Sequence, residues 1–89
     1  MIIEVFTSPG CSKCKHITRM IMDLLKDLPE EVTLREINVL DELEYATRLG
    51  VYTTPTIALD GKLVFRGVPT RKQIVQFVQK IRSGEIEWK

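Results

Sequence analysis

Phe6-Thr7-Ser8-Pro9-Gly10-Cys11-Ser12-Lys13-Cys14-Lys15 is the stretch around which the rest of this 89-residue chain is arranged. It holds both cysteines, spaced C-x-x-C, where the apolar run Ile2-Ile3-Glu4-Val5-Phe6 gives way to a helical pattern. A strand, a turn and a helix opening on a cysteine form an arrangement with a chemical meaning. The first N–H groups of a helix have no intrahelical partner and carry partial positive charge. A thiolate placed there is stabilised, so its pKa falls and it becomes a usable nucleophile near neutral pH. Cys14 follows one helical turn later on the same face, within reach of a disulfide to Cys11 without backbone movement. The stretch reads as a redox pair.

Working outward, Ile2 to Phe6 is a strand whose apolar residues nearly fill both faces, which places it centrally in a sheet. Pro9 and Gly10 break it. Ile17, Met20, Ile21, Leu24, Leu25 and Leu28 then recur at helical spacing, an amphipathic helix that Pro29 stops. Val32 to Ile37 reads as a second strand, parallel to the first through a right-handed crossover. Asp41 and Glu44 suggest a capping box for a short second helix, with Gly50 at its end. Thr56 to Leu59 and Lys62 to Phe65 flank Asp60-Gly61, a strong hairpin signal. Thr70 and Gln73 form a further capping box ahead of Ile74, Val75, Phe77, Val78 and Ile81, a last helix ending at Gly84. The predicted order is β-α-β-α-β-β-α, an α/β fold with a four-stranded mixed sheet and helices on both faces, one domain over residues 1–89.

Composition narrows the function classes. A hydrophobic fraction of 44% and a charged fraction of 28% belong to an ordinary globular protein. A net charge of +1 gives no electrostatic case for nucleic acid or anionic membrane. Met1 to Glu4 lacks the basic start and long apolar core of a signal peptide, and no apolar run approaches the roughly 20 residues of a membrane span. Two cysteines in C-x-x-C without an export signal point to a reactive or metal-binding pair in the cytoplasm. Tetrahedral zinc wants about four ligands. The chain offers two cysteines and His16, which points away from both on a helix, so a zinc site would need a dimer. Redox chemistry without metal or other cofactor is the stronger expectation.

The chain resembles the thioredoxin-fold redoxins over essentially its full length. Three features carry the resemblance: the C-x-x-C at the first strand-to-helix junction, Thr54-Pro55 leading into the third strand, and Phe65-Arg66-Gly67-Val68-Pro69-Thr70 before the last helix. The length is glutaredoxin-like, but the turn at Gly67 is closer to thioredoxin, and the Gly-Gly and acidic helix start that hold glutathione in glutaredoxins are missing. Small archaeal and bacterial thioredoxins and the redoxins that feed ribonucleotide reductase are both similar.

The resemblance implies a cis bond at Pro55, facing the cysteines, with the Thr54 backbone pairing to an extended substrate. It also places Gly10, Lys13 and Gly67 on the substrate-facing surface. Gly10 stands where thioredoxins usually have tryptophan. Their buried acid, six residues ahead of the first cysteine, is here Val5. Glu36, in phase with Val32 and Leu34, is the candidate to take the Cys14 proton if it faces inward; the plainer reading is a solvated glutamate. Lys13 and Lys15 favour a thiolate at Cys11 or are simply solvated. His16 reads as a surface residue, Trp88 as packing the tail, and Tyr52 as lining the groove beside the proline.

The expected activity is reduction of protein disulfides, with Cys11 as nucleophile and Cys14 resolving. Client proteins and a separate reductase or small-thiol reductant are the expected partners of a monomer. Two alternatives stay open: a glutathione-linked, glutaredoxin-like reductase, and a non-catalytic or metal-bridged binding module.

Overall fold

The computed structural model describes residues 1–26 and 32–83. Leu28, Pro29, Gly84 and Trp88, and the expectations placed on them, lie outside the described residues. The elements are β1 (Ile2–Thr7), α1 (Ser12–Leu24), β2 (Thr33–Asn38), α2 (Leu43–Leu49), β3 (Thr56–Leu59), β4 (Lys62–Arg66) and α3 (Arg71–Arg82). They form one four-stranded sheet in the order β2-β1-β3-β4. β1 runs parallel to β2 and antiparallel to β3, and β3 pairs antiparallel with β4. The sheet is mixed, as the β-α-β-α-β-β-α order requires.

Alternation along the strands divides the interior in two. Ile3, Val5, Ile57 and Leu59 face Ile17 and Ile21 of α1 and Ile74, Phe77, Val78 and Ile81 of α3. Phe6, Ile37 and Ala58 face Ala46 of α2, with Tyr45 and Leu49 packed around them. Helices therefore cover both faces, and β1, buried on each, is the central strand that its largely apolar run implied. The Asp60-Gly61 turn has both residues at positive φ, 48° and 83°, the conformation that a two-residue hairpin demands. α3 opens on the capping box foreseen at Thr70 and Gln73, with both reciprocal hydrogen bonds made.

One local expectation needs correction, and for Glu36 the plainer of two readings holds. α2 does not begin on an Asp41–Glu44 capping box: its N-cap is Glu42, and no side chain caps it. Asn38 has taken over the junction. Its carbonyl accepts from the N–H groups of Asp41 and Glu42, and its side-chain oxygen from Leu40 N–H, so the chain turns before the helix starts. Glu36 is exposed. It shares the α1/α3 face of the sheet with Val5, its register partner, as its phase predicted. β2 is an edge strand, however, and this part of the face is open to solvent.

Among the described residues the buried carboxylate is Glu4, on β1 and 3% exposed. Tyr45 Oη donates to its two oxygens at 2.7 and 2.9 Å, and Arg35 approaches at 3.6 Å. Burial first, then the hydrogen bond to Glu4 and its negative charge, raise the Tyr45 pKa. The folded protein thus holds this phenol proton to higher pH than the unfolded chain. The associated stability is intact below the ordinary tyrosine pKa and is lost as pH rises through the raised one. Tyr45→Phe is expected to cost about 1–3 kcal/mol, because a buried carboxylate loses its hydroxyl donor. The variant should also lack this tyrosine's share of the alkaline loss. Urea melts on either side of the tyrosine pKa check both effects.

Candidate active site

The site is built at one end of the two central strands. β1 ends at Thr7, and Ser8-Pro9-Gly10 turns the chain so that Cys11 N–H donates to Ser8 O at 3.2 Å. Cys11 is the N-cap of α1, in an extended conformation, and its Sγ accepts the Cys14 N–H at 3.1 Å. Sulfur here fills the place a serine or aspartate oxygen takes at other helix starts. A negative sulfur at this position meets a partnering N–H and the positive end of a 13-residue helix. Cys11 and Cys14 are joined as a disulfide, with Cα atoms 5.3 Å apart.

The two sulfurs differ in access. Cys14 is 1% exposed and packed into the interior, while Cys11 is only partly covered. Thr18, one turn further on, donates its hydroxyl to the Cys14 carbonyl at 2.9 Å, fixing the first turns of α1.

Phe6 pairs with Thr56, so the start of β3 lies beside the end of β1 and brings Thr54-Pro55 to the cysteine turn. The Thr54–Pro55 peptide bond is cis. Ser8 Oγ and Thr54 Oγ1 are 2.8 Å apart, tying the two loops together. Pro55 is buried and its carbonyl accepts from Gly67 N–H at 2.9 Å, which draws in the turn before α3. Gly67 has φ +101°, and an added Cβ would meet nothing within 4 Å, so backbone conformation and not space calls for glycine. Cys11, Thr54, Pro55 and Gly67 thus belong to one assembly, with Gly10 exposed beside Cys11.

Lys13 and Lys15 are exposed, and neither is in an ion pair among the described residues. His16 is on the surface. Tyr52, 86% exposed, lines a groove of about 430 Å³ with Ser8, Val39, Leu43 and Thr54. Two polar residues escaped the sequence reading, Ser8 at this site and Glu4 in the core beside Tyr45. The Ser8 hydroxyl has no local signal, since its partner is 46 residues away. Glu4 had one: a polar residue in a strand apolar on both faces must be buried. Among the described residues, no group of three or more His, Cys, Asp or Glu side chains stands ready for a metal, and no helix is long and apolar enough to cross a membrane.

A cysteine pair capping a helix opposite a cis-proline, on a sheet of this order, defines a thiol–disulfide oxidoreductase of the redoxin class. The chain belongs to the thioredoxin domain family, whose pattern it matches over residues 1–79. The thioredoxin of Methanocaldococcus jannaschii is 33% identical over 78 residues, spanning 88% of this chain and 92% of that protein. A probable thioredoxin of Methanothermobacter marburgensis is 31% identical over 85 residues, spanning 96% and 95%. Thioredoxin 1 of the thermophilic eubacterium Thermosipho africanus superposes with a TM-score of 0.75 at 20% identity, covering 98% of this chain and all of that one, a likeness of fold.

Proposed function

We propose that Cys11 is the entry sulfur and Cys14 the resolving sulfur in the reduction of client-protein disulfides. The observation that carries this reading is the unequal access of the two sulfurs, one at a helix N-terminus beside the cis-proline loop and one buried. The Cys11 thiolate attacks one sulfur of the client disulfide, forming a mixed disulfide and expelling the client's other thiolate. The client strand lies along Thr54-Pro55, with Gly10, Lys13 and Gly67 around it. Cys14, deprotonated, then attacks the Cys11 sulfur, re-forming the internal disulfide and releasing the second client thiolate. The client gains two electrons and two protons, and Cys11 and Cys14 give them up. The electrons reside on sulfur, so no prosthetic group is called for. The chain acts as one domain over residues 1–89, a monomer of the cytoplasm, returned to the dithiol by a reductase or small thiol.

Redox titration in thiol/disulfide buffers, with alkylation and mass measurement, tests the reading. The expected result is a reversible two-electron couple near the roughly −270 mV of thioredoxin. A persistent single-thiol adduct, or a potential near the roughly −200 to −230 mV of glutaredoxins, would overturn it in favour of a glutathione-linked enzyme. Failure to form the internal disulfide at any poise would remove the exchange mechanism.

A further inference from the structure

Charge is distributed unevenly along this chain. Residues 5–22 and 61–84 contain no Asp or Glu but carry Lys13, Lys15, Arg19, Arg66, Arg71 and Lys72 among others. Glu36, Asp41, Glu42 and Glu44 lie on β2 and around the start of α2. Two of these cations, Arg19 and Arg71, line one cleft. His16, Arg19, Met20, Asp23 and Leu24 of α1 and Arg71 of α3 line a space of about 210 Å³ between the two helices. Lys13, His16 and Met20 stand at i, i+3 and i+7, so this side of α1 continues from the cleft to the turn between the cysteines. Arg71 is the first residue of α3, directly after the turn whose Gly67 is bonded to Pro55. Both walls of the cleft therefore run, along the chain, into elements of the exchange site.

Its cations are available. Lys13, Arg19 and Arg71 are exposed and in no ion pair among the described residues, whereas Asp23 is within 3.6 Å of Lys26. Half-buried Met20 and Leu24 supply an apolar lining between the charges. We propose that this cleft docks an acidic segment of the client polypeptide next to its disulfide, with client carboxylates on Arg19 and Arg71. Guanidinium groups match carboxylates in paired hydrogen bonds, which fixes position as well as sign. A short acidic peptide fits better than a long polyanion. The whole chain is only +1, and the carboxylates near α2 repel a polyanion extended across the molecule.

The inference rests on the exchange reaction proposed above, and the test separates the two. Reduced protein is mixed with three peptides that share one disulfide loop and differ in Glu, Ser or Lys flanks. Second-order rate constants are measured at about 0.01 M and about 1 M salt, where the Debye length falls from roughly 30 to 3 Å. The Glu peptide is expected to react about tenfold faster than the Lys peptide at low salt, with the gap closing at high salt. Arg19→Glu/Arg71→Glu is expected to invert that ratio, and Arg19→Gln/Arg71→Gln, the gentler change, to erase it. Equal rates for the Glu and Lys peptides while the Ser peptide is reduced would overturn the docking proposal and leave the exchange reaction standing. A Glu preference that survives both variants would also overturn it. Failure to reduce any of the three would bring down both readings.

Discussion

A Cys11→Ser protein is expected to lose all measurable reduction of a disulfide client, whereas Cys14→Ser should stop halfway and hold the client as a mixed disulfide. The contrast follows from access. With Cys11 replaced, the remaining sulfur is 1% exposed and cannot approach an external disulfide in line. With Cys14 replaced, the entry sulfur keeps its place at the start of α1, but the serine hydroxyl cannot displace a thiolate from sulfur. Mass spectrometry after mixing each variant with an oxidised client reads the outcome directly: no adduct for the first, a stable one-to-one adduct for the second. If the adducts formed on Cys14 instead, the assignment of roles would be reversed.

The second large effect is on stability. Phe77 is fully buried beneath the sheet, its ring edge-on to Phe65 with centroids 5.6 Å apart. Phe77→Ala removes most of that side chain from the α3 side of the core and leaves a cavity, at a cost of about 3–5 kcal/mol. A domain of this size has roughly 5–15 kcal/mol in all, so the variant should be partly unfolded at mild temperature, its midpoint lowered by at least about 12 °C. Gln79→Ala, on the exposed side of the same helix, is expected to stay within about 0.5 kcal/mol. Calorimetry on the pair decides it. A small loss at Phe77 would mean the core closes over the gap.

Much of this architecture was legible because local chemistry and tertiary need coincide. Asp60-Gly61 can adopt the positive φ pair of a tight hairpin, and Thr70 with Gln73 satisfies the open end of α3 without help from elsewhere. The cysteine spacing, read with the strand before it and the helix after it, identified the chemistry. What stayed hidden was decided by neighbours outside the patterns that were read, some local and some distant in sequence. Glu36 has the phase of an inward residue, yet its exposure is set by its edge-strand position. The Asp41–Glu44 pattern satisfies the rule for a helix start but loses the junction to Asn38, whose side-chain and main-chain oxygens form a competing turn. The Ser8–Thr54 contact joins segments whose proximity comes only from the pairing of β1 with β3.

That pairing divides the labour within the molecule. The reacting sulfur and the proline loop are joined to opposite ends of their strands in sequence but to the same end of the sheet, so their alignment is inherited from the register that sets Phe6 opposite Thr56. A slip of one residue would turn every side chain of β3 to the wrong face. The surfaces that flank the sulfur belong to the outward sides of α1 and α3 and to the segment around α2, which contribute little to that alignment. The exchange geometry is thus held by the frame, and the client docking proposed above falls to the cladding. If clients dock as proposed above, exposed positions such as Arg19 and Arg71 are where a change of charge would retarget the protein without redesigning the bond-making step.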